Sequence, residues 1–507
     1  MQFTEIGFAI FLFAVFCIYW LLLRNNVRLR NLLLLGASYF FYGWWDFRFL
    51  FLILLTTAST YLCALGANGR YGKGITAFNI ILNLGILIAF KYLGFFTENL
   101  QRLLSTFGWN MDWFTIDVLV PVGISFYTLQ AISYSVDVYN RRIPACRDAL
   151  SFATFIAFFP QLVAGPIERA EDLLPQLQSR RDWNRRQAVS GLRMVLFGVV
   201  KKVACADFLA LETDRLFQQI GAADSLTILK AATLFSLQIY FDFSAYSEIA
   251  RGTARLLGVE LMANFRFPFF SRNIAEFWRR WHISLMIWFR NYVYIPLGGS
   301  RRGAWRTYLN IAIVFLLSGL WHGAAWNFIL WGACWAVINI ASRALLKLKV
   351  PKGAILYADL PRIAFTFFIV AFTMYVFRCE SWWQIFKGVK HSYIFLVAAT
   401  VAWGASKVLA GGILRGKTPK YASLIVPIVL AAAFISVFIV KWPYGLRYYS
   451  WLPLAVVLLT EWHDRNSDYP FERVPAVRIV RYGMYWMLML FALLSEPVDM
   501  TFIYFQF

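Results

Sequence analysis

His322 lies in the run SGLWHGAAWNFILWG (318–332), between Trp321 and Gly323. From Thr307 to Ser342 there are 36 residues with no Asp, Glu, Lys or Arg, and lipid accepts nearly all of that stretch. Ionisable groups at membrane depth are costly and tend to be kept where they act. An imidazole can work as a general base near neutral pH, or accept an acyl group itself. The plainer alternative is an interfacial histidine bonded to a backbone carbonyl, and the residues alone leave both roles open.

His282, in RRWHISL, is the second candidate. On a continuous helix Arg279 stands one turn away, and its charge disfavours the imidazolium. The plainer role is a structural histidine on an amphipathic helix. QIYFDFSAYSEIARG (238–252) places Asp242 and Glu248 in apolar surroundings, with Arg251 and Arg255 as the nearest cations. Buried carboxylates need hydrogen bonds or such partners, so a structural polar network is expected there. His391 and His463 are given no role. No GxSxG, phosphate-binding loop or Cys/His metal set is present, and the missing phosphate loop argues against a primary pump. The six cysteines form no CxxC pair; five sit in or beside apolar runs, and Cys146, in a basic loop, is the one candidate for lipidation.

These groups need a scaffold, and composition defines its class. The 507 residues are 60% hydrophobic and 15% charged, with mean hydropathy +0.58, whereas a soluble chain is about one-quarter charged. The pattern predicts an all-α polytopic membrane protein of roughly 11–13 transmembrane or re-entrant helices. Apolar segments fall near 6–23, 31–45, 48–66, 75–95, 118–139, 150–168, 188–210, 227–250, 307–341, 360–378, 391–411, 422–441, 449–461 and 478–495. Residues 6–23 read as a retained span, since no positive segment precedes them and no A-x-A site follows. Net charge is +22, but the basic residues lie in short clusters such as RNNVRLR (24–30) and RALLKLKVPK (343–352). Positive-inside logic makes these cytoplasmic loops facing anionic lipid, puts the N-terminus outside, and excludes nucleic acid as a partner.

Two segments break the pattern. Asn264–Arg306 interleaves aromatics with Arg266, Arg272, Arg279, Arg280 and Arg290, too polar to span, so an interfacial helix is expected near 272–296. Ser271-Arg-Asn starts it, Glu276 pairs with Arg279 and Arg280, and IPLGG ends it. The 307–342 stretch carries basic clusters at both ends, which makes it a hairpin or a broken re-entrant pair. Its bend falls at Gly319, His322 and Gly323. Irregular backbone at that depth survives where protein or water satisfies it. Pro160, Gly165 and Pro166 predict a similar break within 158–177.

FWRRWHISLMIWFRNYVYIPLGG followed by GLWHGAAWNFILWG resembles the membrane-bound O-acyltransferase (MBOAT) family, in its bacterial alginate O-acetylation (AlgI-like) branch. Further likeness runs through PVGISFYTLQAISYSVDVY (121–139), FPQLVAGPIERAEDLLPQL, YFDFSAYSEIARG and the terminal TFIYFQF (501–507), covering essentially the whole chain. The resemblance implies helices around a central funnel or tunnel, with His322 catalytic. It implies one MBOAT domain: N-terminal spans 1–115, a catalytic core 116–345, and C-terminal spans 346–507. It implies transfer of an acyl group, usually acetyl, from a cytoplasmic thioester (acetyl-CoA or an acyl-phosphopantetheine carrier) to an outer hydroxyl, with no permanently bound cofactor and no metal. A periplasmic or membrane-anchored SGNH-hydrolase-like partner would then acylate an exopolysaccharide or cell-wall glycan. Two departures stand out: Arg290-Asn291-Tyr292 replaces a common Arg-Asp-Tyr, and Cys334-Trp335-Ala336 lacks a further histidine found in many relatives.

The expected site is therefore His322 with His282 secondary, supported by Trp321, Asn327, Trp278, Arg279, Asn291 and Asp242 along the tunnel. Rival readings are a transporter or flippase for a glycan or lipid-linked precursor, and a non-catalytic scaffold. Few intramembrane carboxylates and no repeated halves count against transport.

Overall fold

The structure is a computed structural model describing residues 1–109, 120–395, 397, 400, 451–470, 477–495 and 502. The apolar segments expected near 391–411 and 422–441, and all of TFIYFQF but Phe502, lie outside these residues or largely so. Among the described residues every regular element is helical, and the protein is integral to the membrane. Among the described residues, five helices have the length and apolarity to cross it: Phe47–Gly66, Gly72–Lys91, Ser225–Leu256, Gly303–His322 and Tyr357–Arg378. The Ile6–Leu22 helix is apolar but shorter.

Other expected segments are broken for readable reasons. The 150–168 stretch forms Ala149–Ala157 and then Phe159–Leu162. The extended Phe158 between them accommodates Pro160 in the first turn of the second piece, where its missing N–H costs nothing. The 188–210 stretch forms Arg185–Val200, a π-helical turn Lys201–Ala206, and then Asp207–Gln218.

That π turn aims two lysines at the long, mostly buried Ser225–Leu256 helix. Lys201 Nζ lies 2.6 Å from Glu248 and 2.5 Å from Glu461. Lys202 Nζ lies 2.7 Å from Asp242 and 2.8 Å from Asp207. The structural network expected around Asp242 and Glu248 is present, but its cations are these lysines rather than Arg251 and Arg255.

The expected continuous interfacial helix near 272–296 is corrected. Asn273 caps a single turn, Ile274–Phe277, by accepting from the Glu276 N–H at 2.9 Å. The chain then turns through Trp278–His282, resumes as Ile283–Phe289, and finishes as a π-helical turn, Arg290–Tyr294. Glu276 pairs with Arg280 as expected, at 3.0 Å, but its second partner is Arg272 at 2.9 Å; Arg279 points outward and is exposed. Burial opposes ionisation of Glu276, yet hydrogen bonds from Arg272 and the charge of Arg280 hold its carboxyl below the ordinary range. Its stabilising contribution is thus complete above that range and is lost as pH falls through the lowered value. Glu276→Ala leaves two arginines facing an empty site and should destabilise the protein by about 3–5 kcal/mol, seen as a lowered melting temperature in detergent. An unchanged melting curve would show that the pair contributes nothing.

Candidate functional site

His322 is the last residue of the Gly303–His322 helix, and Trp326–Ala344 returns beside it. Twenty residues of helix rise about 30 Å, so the imidazole stands a full span from the basic cluster at Arg301, Arg302 and Arg306. The expected broken pair is therefore present, with its break at Gly323–Ala325. Close approach of the two helices needs glycine. A Cβ on Gly319 would lie 2.2 Å from the Phe328 carbonyl oxygen, and one on Gly332 would lie 2.3 Å from that of Phe315.

A helix ends with carbonyls that have no partner within it. Here the C-terminal end of the Gly72–Lys91 helix supplies the partners. Lys91 Nζ donates to the carbonyls of Trp321 (2.8 Å) and His322 (3.0 Å), and Tyr92 Oη donates to that of Leu320 (2.8 Å). Three successive orphan oxygens are thus satisfied by neighbouring residues of one other segment.

His322 and Lys91 line one cavity of about 60 Å³, walled by Val120–Phe126, Val163 and Trp321. Val120 at its edge is exposed. A smaller cavity of about 20 Å³ shares Val122 and Val163 and extends past Tyr42 and Tyr246 to Phe502. Aromatic side chains close around the imidazole: Trp321 at 5.0 Å, Trp331 at 5.1 Å and Phe377 at 5.4 Å between ring centroids.

His282 is brought close, 6.4 Å from His322 between ring centroids, which is too far for a direct imidazole–imidazole hydrogen bond. It adopts a left-handed conformation (φ 43°), a strained state for a residue with a Cβ and one that persists where its surroundings enforce it. Asn264 does so: its carbonyl accepts from the Ile283 N–H at 2.9 Å, and its side chain takes the Ser284 hydroxyl at 2.5 Å. The expected influence of Arg279 does not arise, because the helix that would place it one turn from His282 is interrupted at that residue.

The remaining expected residues divide. Trp321 lines the cavity with His322. Trp278 belongs to an aromatic wall behind it, 4.7 Å from Trp335 and 5.0 Å from Phe315. Asn327 donates to the Phe377 carbonyl at 2.7 Å and ties the hairpin to the Leu360–Arg378 helix. Asn291 is half-buried on the π turn, away from the cavity wall, whereas its neighbour Tyr292 bonds Asp137. Asp242 serves the lysine network. Cys146 is buried, with its thiol toward the Asp148 carbonyl, so it is not presented for lipidation.

Lys91 is the residue the sequence reading passed over. Its signal was a single cation closing an otherwise apolar run, LGILIAFKYLGFF, which reads equally well as an ordinary interfacial lysine.

A helical membrane protein with a histidine held at the end of a spanning helix, in a cavity lined largely by apolar residues that it shares with a lysine, defines the class. The chain belongs to the membrane-bound O-acyltransferase family and is an O-acetyltransferase: residues 141–379 match the MBOAT family, and relatives align well beyond them. It is 40% identical to the "Probable alginate O-acetylase AlgI" of Pseudomonas putida over 70% of this chain and 73% of that protein. It is 33% identical to the peptidoglycan O-acetyltransferase of Helicobacter pylori, over 63% and 66%. It is 27% identical to the teichoic acid D-alanyltransferase of Bacillus subtilis, over 50% and 68%.

Proposed function

We propose that this chain carries an acetyl group from a cytoplasmic thioester, acetyl-CoA or an acyl-phosphopantetheine carrier, to a hydroxyl on the outer side of the bacterial inner membrane, for O-acetylation of an extracytoplasmic glycan. The observation that carries this reading is the position of His322, at the end of a spanning helix and in the wall of a cavity. The imidazole takes the proton of the acceptor hydroxyl as its oxygen attacks the thioester carbonyl; the C–S bond breaks and the departing thiolate recovers that proton. Equally, the imidazole nitrogen takes the acyl group first and passes it to the hydroxyl. The N-terminus lies outside, and the basic loops face the cytoplasm, where they draw in the anionic donor.

Acetyl is favoured because two of the relatives are named for O-acetyl transfer. Their names, alginate and peptidoglycan, favour a polysaccharide or cell-wall glycan as acceptor, and an SGNH-hydrolase-like partner completes the delivery in this proposal. Membranes with and without the chain, supplied with acetyl-CoA labelled in the acetyl group, test the reading. Label should appear in extracytoplasmic glycan when the chain is present. Equal labelling in both membranes, or movement of unmodified glycan across the membrane instead, overturns it.

A further inference from the structure

We infer that Lys91 is a working residue of the acyl-transfer site, placing an ammonium donor where the acyl carbonyl oxygen becomes negative. The inference rests on the proposed acyl transfer at His322. Three observations on this chain carry it.

First, Lys91 Nζ is oriented by two hydrogen bonds, to the carbonyls of Trp321 and His322. These are the last carbonyls of the histidine-bearing helix, the end where the macrodipole is negative and a cation is favoured. An ammonium has three N–H groups, so two such bonds leave a third for another acceptor.

Second, the side chain lines the same cavity as His322, and no carboxylate is among the residues lining it. Lys91 and His322 are the two ionisable side chains among the described lining residues. Third, Lys91 Nζ sits 5.8 Å from the centre of the Trp321 ring, a distance at which the ring face favours a cation. A lysine needed only to end a span would extend to the interface; this one is turned onto the backbone that carries the imidazole.

The chemistry follows. When an acceptor oxygen, or the imidazole nitrogen, attacks the thioester carbonyl, the carbonyl π electrons move to oxygen and create an oxyanion. A donor already in place stabilises that charge without reorganisation. Collapse of the intermediate returns the electrons, breaks the C–S bond and releases the thiolate, which takes the proton held by the imidazolium. Lys91 exchanges no proton in this sequence.

Three variants of the full chain, assayed in membranes with labelled acetyl-CoA, separate charge from scaffolding. Lys91→Gln keeps a donor for the helix carbonyls and loses the charge; Lys91→Met loses both; Lys91→Arg keeps both. Turnover per folded molecule should fall about 100-fold or more in Lys91→Gln and Lys91→Met, with the donor KM within about threefold of wild type, and recover to within about tenfold in Lys91→Arg. Melting temperature of the purified variants reports folding independently. Wild-type turnover per folded molecule in Lys91→Gln, with His322→Ala inactive, overturns the role of Lys91 and leaves the site reading standing. A loss in Lys91→Gln that is confined to melting temperature does the same. Full activity in His322→Ala overturns the site reading itself.

Discussion

His322→Ala should abolish glycan acetylation while the chain still inserts and purifies as a folded protein. The expected loss is about 10³-fold or more, because removal of a general base alone costs about 10²–10⁴ and removal of a transient acyl carrier costs at least as much. Folding should survive for a structural reason. His322 ends its helix, the carbonyls there are held by Lys91 and Tyr92 rather than by its own side chain, and alanine is the best helix former. Quantifying acetyl ester in extracytoplasmic glycan, against the amount of monodisperse protein, checks both halves. The companion His282→Ala separates one imidazole from two. Because the rings are 6.4 Å apart and not directly bonded, its activity loss should be accompanied by a lower melting temperature, reflecting the lost packing of a buried ring against Phe243 and Trp321. Acetylation that persists in His322→Ala would remove this residue from the chemistry altogether.

How far the sequence foretold this arrangement depended on whether the signal was local. The charge-free run around His322, flanked by glycines and closed by basic clusters, was enough to place a broken hairpin with its bend at the histidine. The apolar runs predicted Leu50–Gly66, Gly72–Lys91 and Leu360–Arg378 within a few residues, because hydrophobic length alone decides a span. Long-range pairing was not legible. Asp242 and Glu248 were correctly read as a buried network, yet Lys201 and Lys202, forty or more residues away in sequence, supply its charges. Lys91 and His322 are separated by 231 positions, and nothing in either neighbourhood names the other. The interfacial segment failed for a different reason. Its amphipathic spacing fits a continuous helix near 272–296, and the break at His282 is imposed by hydrogen bonds to Asn264, a tertiary override of local preference. Arg279 was drawn into the expected site by that continuous helix and Asn291 by the Arg290-Asn291-Tyr292 motif; Arg279 is exposed and Asn291 lies away from the cavity wall.

Gly319→Ala should damage the enzyme nearly as severely, through geometry rather than chemistry. Membrane helices lacking a hydrophobic drive to associate rely on small residues for close backbone contact. The added methyl would lie 2.2 Å from the Phe328 carbonyl oxygen and 3.4 Å from Gly332 Cα. Both are backbone atoms, which no rotamer change can move aside, so the hairpin must splay. Overpacking of a tight interior costs about 1–3 kcal/mol, occasionally more, and a backbone clash belongs at the upper end. His322 is less than one turn beyond Gly319, so the imidazole shifts with the helix. A displacement of about 1 Å at a reacting group can cost about 10²-fold in rate. The matched control is Gly85→Ala in the Gly72–Lys91 helix, where the new methyl meets nothing within 4 Å. That variant should melt at or slightly above the wild-type temperature and keep its activity, since alanine is the better helix former. Equal behaviour of the two variants in melting and acetyl transfer would mean that the hairpin tolerates separation, and that the position of His322 does not depend on the Gly319–Gly332 contact.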